Sequence, residues 1–579
     1  MKRIEFPAEL AIFADRIDDH WINIITNGFS KFLEKDSVPK LDDWYFLIRN
    51  LLEKEENPPS VFWALCSKIA WIQADIGFFK DKSEFLIKEA ETQSDPLLLS
   101  YIGAGITELI NSDEGITIIG EGYSQIETSK DWLALFDVAT PYVLLLSNLD
   151  KIATFKKVYS TIKQIFEDEF KSDSKYLHLF LPIQFFAFKK DIEEIQIDFY
   201  EALEVVKKTQ HHLNTGLMCT LMSHKEESEI FEQHLETAIQ EYLLINANNR
   251  LIIAYTNFAS YYASKARHNE ASEYLSKATS LTALLSKGFG GGLSIYPMIQ
   301  KAWFLVEQGE LQEAKKTFKH VVENAQTCCS SLYQIKGEYG LAYIYFLESQ
   351  DNLALTHAQN ALSIVGELDS PDPELLDIFQ LKYADLLLDL NKSENVPNIL
   401  ESVNVNKLKK CSKAHYHYIQ GKYEFHIHNI GTAKTYLKDA MKYTDNCPSF
   451  RSNLLYTQAE VYLNEYRLSE DPKILQEAQK LITESLEKLV GIPERTKGQC
   501  LLAIMLSAQG RIEEAEELLE SLTADSSKSI PRFRTLAEKL LDNIHKSRIG
   551  SAPLSPIANI RDALRYLRDA KTLIDSQSR

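Results

Sequence analysis

The stretch of this chain richest in histidine invites a metal-binding interpretation. Residues 415–428 read HYHYIQGKYEFHIH. On two β-strands joined by a turn at Gln420-Gly421, the four histidines would share one face, and imidazole nitrogens converging to about 2.1 Å can bind zinc. On a helix, the first two histidines would point about 200° apart, and the third would lie roughly 16 Å along the axis from the first. The four residues concerned are His415, His417, His426 and His428.

A second candidate for chemistry is the glycine-rich segment KGFGGG, residues 287–292. A phosphate-binding loop would need a preceding strand and a following Lys-Ser or Lys-Thr, and the sequence has neither. Glycines at this place predict the end of a helix followed by a flexible turn. The sequence also lacks the Gly-x-Ser-x-Gly and His-Glu-x-x-His motifs. We therefore expect no catalytic, cofactor-binding or metal-binding residues, and no enzyme.

Length and composition favour a long array of helices. A chain of 579 residues is too long for one compact core, unless it is a repeat array that grows in one direction. Only 22 glycines and 17 prolines interrupt it, which favours helices joined by short turns. The net charge of −19 argues against nucleic acid as the partner, because phosphate binding needs a surplus of Lys and Arg.

Charge and apolar patterning also bear on location. The segment 526–579 holds eleven basic and five acidic residues, which suits a solvated helix face or a tail resting on its own acidic body. A weak contact with an anionic surface is the alternative. The apolar stretch 133–149 contains Asp137 and Pro141 and predicts a buried helix, so no membrane insertion is expected. Seven scattered cysteines without CxxC spacing indicate buried thiols in a cytoplasmic protein.

The chain after residue 250 contains a repeated frame of small and large apolar residues. A small residue is followed by an apolar one at +3, then by three more at about +12, +16 and +19. Spacings of three, four and seven keep residues on one helix face, whereas the gap of twelve spans a turn, so each copy predicts two packed helices. Copies begin at Ala259, Ala302, Ala342, Ala384, Gly421, Ala459 and Ala503.

This frame resembles the tetratricopeptide repeat (TPR) family. The best matches are AWFLVEQGELQEAKKTFKHVV, residues 302–322, and AIMLSAQGRIEEAEELLESL, residues 503–522. The resemblance implies an all-α fold, a right-handed α-solenoid of stacked helix-turn-helix hairpins. It covers about residues 251–522, and it departs from the family in its period of 37 to 44 residues, against about 34. Because Gly421 occupies the small position of its copy, the histidine-rich stretch is predicted to be a helix.

We predict three domains from these patterns. Residues 1–248 carry helical periodicity without the clear frame and are interpreted as degenerate helical repeats. Residues 249–525 form the TPR-like array. Residues 526–579 form a basic C-terminal segment, in which a linker at 547–559 precedes a capping helix.

The resemblance also implies a binding groove. In the family, the second, fifth, ninth and twelfth residues of each first helix face a concave surface. Carried onto this chain, they give a peptide-binding groove of Tyr296, Trp303, Tyr339, Tyr343, Phe346, His415, Tyr418, Lys422, Phe425 and Tyr456. The fifth positions include Leu381 and Tyr418 but no lysine, so the family's clamp for the acidic C-termini of chaperones is not expected.

The expected function is therefore that of a non-catalytic scaffold or adaptor that binds a peptide or a partner helix in its groove. The alternative is a regulatory protein whose superhelix changes shape when it senses a ligand or peptide. We expect a protein partner, no nucleic acid, no cofactor and no membrane insertion. The sequence does not reveal the oligomeric state.

Overall fold

The computed structural model describes 13 stretches of the chain, and every regular element in them is helical. The described stretches are residues 41–54, 56–149, 151–170, 177–189, 199–209, 211–222, 228–265, 267–286, 292–368, 373–444, 448–488, 491–524 and 530–548. Consecutive helices pair as antiparallel hairpins joined by short turns. The predicted all-α fold of stacked helix-turn-helix hairpins is confirmed.

The described residues of the first half contain thirteen α-helices. They are α1 (Leu41–Lys54), α2 (Ser60–Gln73), α3 (Ile76–Gln93), α4 (Pro96–Leu109), α5 (Ser112–Ser129), α6 (Trp132–Asn148), α7 (Ile152–Ile165, extended by a π-helical turn, Phe166–Phe170), α8 (Leu177–Lys189), α9 (Phe199–Lys208), α10 (His212–Met222), α11 (Ser228–Leu244), α12 (Asn248–Ser264) and α13 (His268–Ser286). The described residues of this half therefore form helix pairs, whereas their interpretation as degenerate repeats remains a prediction.

The part of the second half that the structure describes contains thirteen more α-helices. They are α14 (Gly292–Glu307), α15 (Leu311–Thr327), α16 (Ser331–Leu347), α17 (Asp351–Gly366), α18 (Pro373–Asp389), α19 (Val396–Ser402), α20 (Lys410–His426), α21 (Ile430–Met441), α22 (Pro448–Ser469), α23 (Pro472–Lys488), α24 (Ile492–Ala508), α25 (Ile512–Ala524) and α26 (Pro531–Arg548). The histidine-rich stretch is α20 and its C-terminal cap, so the prediction of a helix is confirmed.

Local sequence signals start and stop these helices even where the repeat frame is weak. Asp75 accepts a hydrogen bond of 2.9 Å from the backbone N–H of Phe78, and Asp95 caps α4 in the same way. Such side chains satisfy the free N–H groups at a helix start. Ala74 and Ser94 close α2 and α3 in the left-handed conformation, with φ of 58° and 52°.

The repeat frame forms the seams between paired helices. Its small residues Ala302, Ala314, Ala384, Ala433 and Ala515 are all fully buried. A Cβ atom added to Gly421 would lie 2.7 Å from side-chain carbons of Leu437, so only glycine fits that seam between α20 and α21. These helix pairs are TPR-like repeats in their construction, as the frame predicted.

The described chain divides into two compact units. Of the described residues only, unit 1 takes those within Met1–Tyr262, Arg267–Gln300 and Val321–Gln334, and unit 2 takes those within Ala263–Ala266, Lys301–His320 and Ile335–Arg579. The three-domain division made from the sequence remains a prediction. The predicted capping helix lies outside the described residues, and so does most of KGFGGG, although α13 ends at Ser286, immediately before that segment.

Cys66, Cys219, Cys328 and Cys500 are buried thiols, as expected, but Cys329 is exposed and Cys411 is disulfide-bonded, so the expectation was wrong for these two. The apolar stretch 133–149 is a largely buried helix, as predicted. Among the described helices, none has both the length and the apolar character needed to span a bilayer.

Candidate functional site

The first helices of successive repeats in unit 2 meet through a set of aromatic and charged side chains, which we call the central cluster. It is contributed by α14, α16, α18, α20, α22 and α24. Its members are Trp303, Glu307, Lys336, Tyr339, Tyr343, Lys382, Asp385, Asp389, His415, Tyr418, Lys422, Tyr456 and Glu494.

An aromatic row forms one part of the central cluster. The ring of Trp303 lies 6.3 Å from that of Tyr339 and 5.7 Å from that of Tyr343. Tyr343 stacks on Phe346 with a centroid distance of 6.3 Å, and Tyr339 meets Phe379 edge to face at 6.0 Å. Trp303, Tyr339 and Tyr343 are only partly buried, so parts of their rings remain accessible to a ligand.

Two carboxylates adjoin this row. The hydroxyl of Tyr343 donates a hydrogen bond of 2.6 Å to Oε1 of Glu494, at the start of α24. Glu307 ends α14, and its Oε2 is buried without a hydrogen-bond partner. Burial, followed by repulsion from Glu494, raises the pKa of Glu307 to about 7.

A buried lysine bridges two aspartates deeper in the cluster. The side chain of Lys422 is 4% exposed, and its Nζ donates to Oδ1 of Asp385 and, at 2.9 Å, to Oδ1 of Asp389. The same ammonium lies 5.3 Å from the ring centroid of Tyr418. A buried ammonium held by two carboxylates is fully compensated, so Lys422 stabilises the interior and does not offer a free charge.

Lys382, unlike Lys422, is a lysine of the cluster that no carboxylate of the described chain holds. Its Nζ lies 4.2 Å from the ring centroid of Tyr339 and 5.3 Å from that of Phe379. Among the described residues it has no carboxylate partner. Burial, followed by repulsion from Lys336, lowers the pKa of Lys382 to about 8. The side chain is partly buried, so a ligand can reach it.

His415 lies beside these charges. Its Nε2 is 4.0 Å from Oδ2 of Asp385, and its ring packs against Tyr418 and Phe450. Burial lowers the pKa of His415 to about 4, so the ring is neutral at pH 7. His417 instead stacks on Tyr443, with centroids 5.9 Å apart. The first two histidines therefore contact different neighbours.

Arg532 fastens the last described helix to the middle of unit 2. Its Nε donates to the backbone carbonyl of Phe346, and its Nη2 donates to Asp351. Its guanidinium also lies 4.0 Å from the ring centroid of Phe346, and the residue is 4% exposed. These contacts join parts of the chain 186 and 181 residues apart, so they link α26 directly to α16 and to the start of α17.

Most of the predicted groove residues lie in the central cluster. Trp303, Tyr339, Tyr343 and His415 are partly exposed there, whereas Tyr418, Lys422 and Tyr456 are 3–4% exposed and form its floor. Phe346 is buried and stacks against Tyr343 of the aromatic row. Phe425 is 2% exposed and packs in an apolar core with Leu387 and Leu408. Tyr296 belongs to unit 1, where its hydroxyl donates to Asn257 at 3.1 Å.

Sequence reasoning missed Glu307, Lys382, Asp385, Asp389, Glu494 and Arg532. The sequence did hold a signal for Asp385. This residue occupies the ninth position of its copy, four residues after Leu381, and the ninth position is one of those predicted to face the groove. The fifth position itself, Leu381, is fully buried, and the neighbouring Lys382 enters the cluster instead. Spacing within one helix does not reveal that Lys382, and not Leu381, enters the cluster.

Unit 1 has polar interactions of its own, and they are deeply buried. Lys68 and Asp137 form an ion pair of 2.8 Å, with side chains 3% and 6% exposed. Arg250 donates to Glu108 at 2.7 Å, and Asn249 donates to the same carboxylate at 3.2 Å. Such buried ion pairs hold helices together, and their low exposure leaves little for a ligand to reach.

Comparison with known proteins gives no family assignment: no family model matches the chain, and no curated protein matches it. Solved structures do resemble it. A human IFIT1 dimer with PPP-AAAA is 12% identical, with 77% of this chain and 93% of that chain covered and a TM-score of 0.37. A Rap protein complexed with competence and sporulation factor is 13% identical, covering 70% and 100%, with a TM-score of 0.34.

Yeast Tom70 is 15% identical, covering 85% of this chain and 98% of its own, with a TM-score of 0.34. Likenesses at this level carry no argument about what this chain binds. Its TPR-like construction rests on its own helix pairs and on the buried repeat frame that joins them.

Proposed function

We propose that the chain is a non-catalytic scaffold that binds an extended peptide segment of a protein partner at the central cluster of unit 2. The observation that carries the proposal is the aromatic row. Trp303, Tyr339 and Tyr343 present partly exposed rings side by side, and charged groups stand next to them. Aromatic rings combined with a few placed polar groups are typical of peptide-binding surfaces.

An extended peptide suits this interior better than a helix does. Tyr343 and Glu494 approach to hydrogen-bonding distance across it, and Arg532 joins α26 to α16 nearby. A helix with its side chains is about 10–12 Å across and would need wider separation of the surrounding helices. An extended chain is narrower, and it can place alternate side chains against opposite walls.

The charges of the cluster favour protein over nucleic acid. Glu307, Asp385, Asp389 and Glu494 bring four carboxylates to the same surface, and the chain as a whole carries −19. A phosphate backbone would meet repulsion there. A labelled single-stranded RNA is therefore expected not to bind to the full chain at physiological salt, in a fluorescence anisotropy titration.

Site-specific photo-crosslinking tests the peptide proposal. A benzoylphenylalanine at Tyr339 would lie in the central cluster, whereas the same residue at Leu353, which is 43% exposed on α17, provides the control. In extract from the native cell, we expect Tyr339 to capture a partner that Leu353 does not, through a short segment identified by mass spectrometry. Capture of the same proteins from both positions would refute the proposal.

A second readout uses Trp303, the only tryptophan after Trp132. In protein labelled with 5-fluorotryptophan, the Trp303 resonance is assigned with the Trp303→Phe variant. A peptide identified by crosslinking should shift this resonance and leave the resonances of Trp63 and Trp71 in place. Binding without a shift at Trp303 would place the contact elsewhere.

A further inference from the structure

Four cations of unit 2 that are at least partly buried pair with carboxylates, namely Lys315, Lys422, Lys434 and Arg532, whereas Lys382 pairs with none in the part of the chain that the structure describes. Lys422 binds Asp385 and Asp389, and Arg532 binds Asp351. Lys315 pairs with Glu348 at 2.8 Å and Lys434 with Glu465 at 2.7 Å. Lys382 lies against the rings of Tyr339 and Phe379 instead.

The surroundings of Lys382 do not supply the missing negative charge. Lys336 is the charged neighbour that acts on it, and it repels the ammonium. Asp385, one helical turn away, is already bound by Lys422 and lies beside His415. An ammonium partly removed from water with no carboxylate is unfavourable in the free protein. A ligand carboxylate would remove that penalty.

From this geometry we propose that Lys382 binds an aspartate or glutamate side chain of the partner peptide, with the neighbouring rings holding the stem of that residue. The inference rests on the proposed function and names the chemistry of one subsite. Tyr339 and Phe379 form two sides of the subsite, and Lys336 is near enough to repel the ammonium.

The structure favours a single peptide carboxylate over a phosphate or polyanion. Lys382 has no carboxylate partner among the described residues, and its single charge can neutralise one ligand carboxylate. Asp385, Asp389, Glu307 and Glu494 belong to the same cluster and would repel further negative charge. A monovalent carboxylate carried on an otherwise neutral stretch of peptide fits these constraints.

Peptide selection tests this inference and needs no identified partner. A random twelve-residue display library is selected on the full chain, on Lys382→Gln, on Lys382→Arg and on Lys319→Gln, which changes an exposed lysine on α15. We expect an enriched Asp or Glu at one peptide position with the unchanged chain. The enrichment should disappear with Lys382→Gln and persist with Lys382→Arg and Lys319→Gln.

A synthetic peptide from that selection then identifies the source of the carboxylate. Replacing its conserved acid by Gln or Asn should weaken binding about tenfold, since a charge-assisted hydrogen bond is lost. Amidating its C-terminus should leave the affinity unchanged. If amidation alone weakens binding, the terminal carboxylate is the ligand and the inference is wrong.

The outcomes separate the inference from the proposed function. Peptides that bind without an acid preference, or whose preference survives Lys382→Gln, refute the inference and leave the function standing. If no peptide is selected, the proposed function fails and the inference fails with it. A direct readout is the ¹³C-dimethylated Lys382 resonance, whose titration near pH 8 should move to higher pH with the acidic peptide and not with the peptide in which Gln or Asn replaces the conserved acid.

Discussion

The hydroxyl of Tyr343 on α16 and the carboxylate of Glu494 on α24 are hydrogen-bonded at 2.6 Å, although 151 residues separate them in the chain. Glu307 lies close by, since a Cβ atom built on Gly491 would be 2.5 Å from Oε2 of Glu494 and 3.5 Å from Cγ of Glu307. Two carboxylates therefore share a poorly hydrated corner of unit 2.

Replacing Glu307 by Gln should stabilise the protein at alkaline pH. The folded-state pKa of Glu307 is raised from 4.5 to about 7, so folding favours the protonated form. Its contribution is fully present below about pH 4.5 and is lost as the pH rises through 7. At pH 8 we expect Glu307→Gln to raise the free energy of unfolding by about 1–3 kcal/mol.

Urea unfolding at pH 5 and pH 8 measures this effect, with Glu313→Gln on the exposed face of α15 as the matched control. The gain from Glu307→Gln should be much smaller at pH 5, and the control should show little change at either pH. An equal gain at both values would mean that Glu307 is ionised in the folded protein throughout this range.

Replacing Lys382 by Met should also stabilise the protein at neutral pH. Its pKa is lowered from 10.5 to about 8, so folding favours the neutral amine. The contribution of this lysine to stability is present above about pH 10.5 and is lost as the pH falls through 8. The gain from Lys382→Met should therefore be about 1–3 kcal/mol at pH 7 and should shrink toward pH 10.

Chemical unfolding at pH 7, 8.5 and 10 measures how the stability gain from Lys382→Met changes with pH, with Lys319→Met as the control. Destabilisation by Lys382→Met at pH 7 would indicate a carboxylate partner within the protein and would contradict the unpaired state.

Loss of Arg532 should destabilise unit 2 much more than loss of Arg534. Arg532→Ala removes hydrogen bonds to Phe346 and Asp351 and a cation–π contact, all at a residue that is 4% exposed. We expect a loss of about 2–4 kcal/mol. Arg534 pairs with Glu538 at the surface. Arg534→Ala should therefore lower the free energy of unfolding by less than about 1 kcal/mol in the same assay.

A double substitution can test the seam between α20 and α21. Gly421→Ala places a methyl group 2.7 Å from Leu437, and we expect a loss of about 1–3 kcal/mol from overpacking. In the Leu437→Ala background the same change should cost less, so the pair should show a coupling energy. Gly431→Ala meets no atom within 4 Å and provides the control. Additive effects at 421 and 437 would argue against this packing.

Sequence spacing predicted the features that depend on one helix or one hairpin. The helix at His415, the seam at Gly421 and the buried alanines of each copy all follow from local periodicity, because small residues must recur where two helices touch. The pairing of Tyr343 with Glu494 and the unpaired state of Lys382 depend on how several repeats curve together. That curvature accumulates from small rotations between neighbours and leaves no pattern in a single repeat.

The contacts of Arg532 with Phe346 and Asp351 have a consequence for how unit 2 comes apart. In an open array each repeat touches only its neighbours, so terminal repeats can fray while the middle stays folded. Here α26 is fastened to α16 and α17, so melting at the end also exposes the middle. This tie from α26 to α16 and α17 therefore favours cooperative opening of the helices between them over fraying from the terminus.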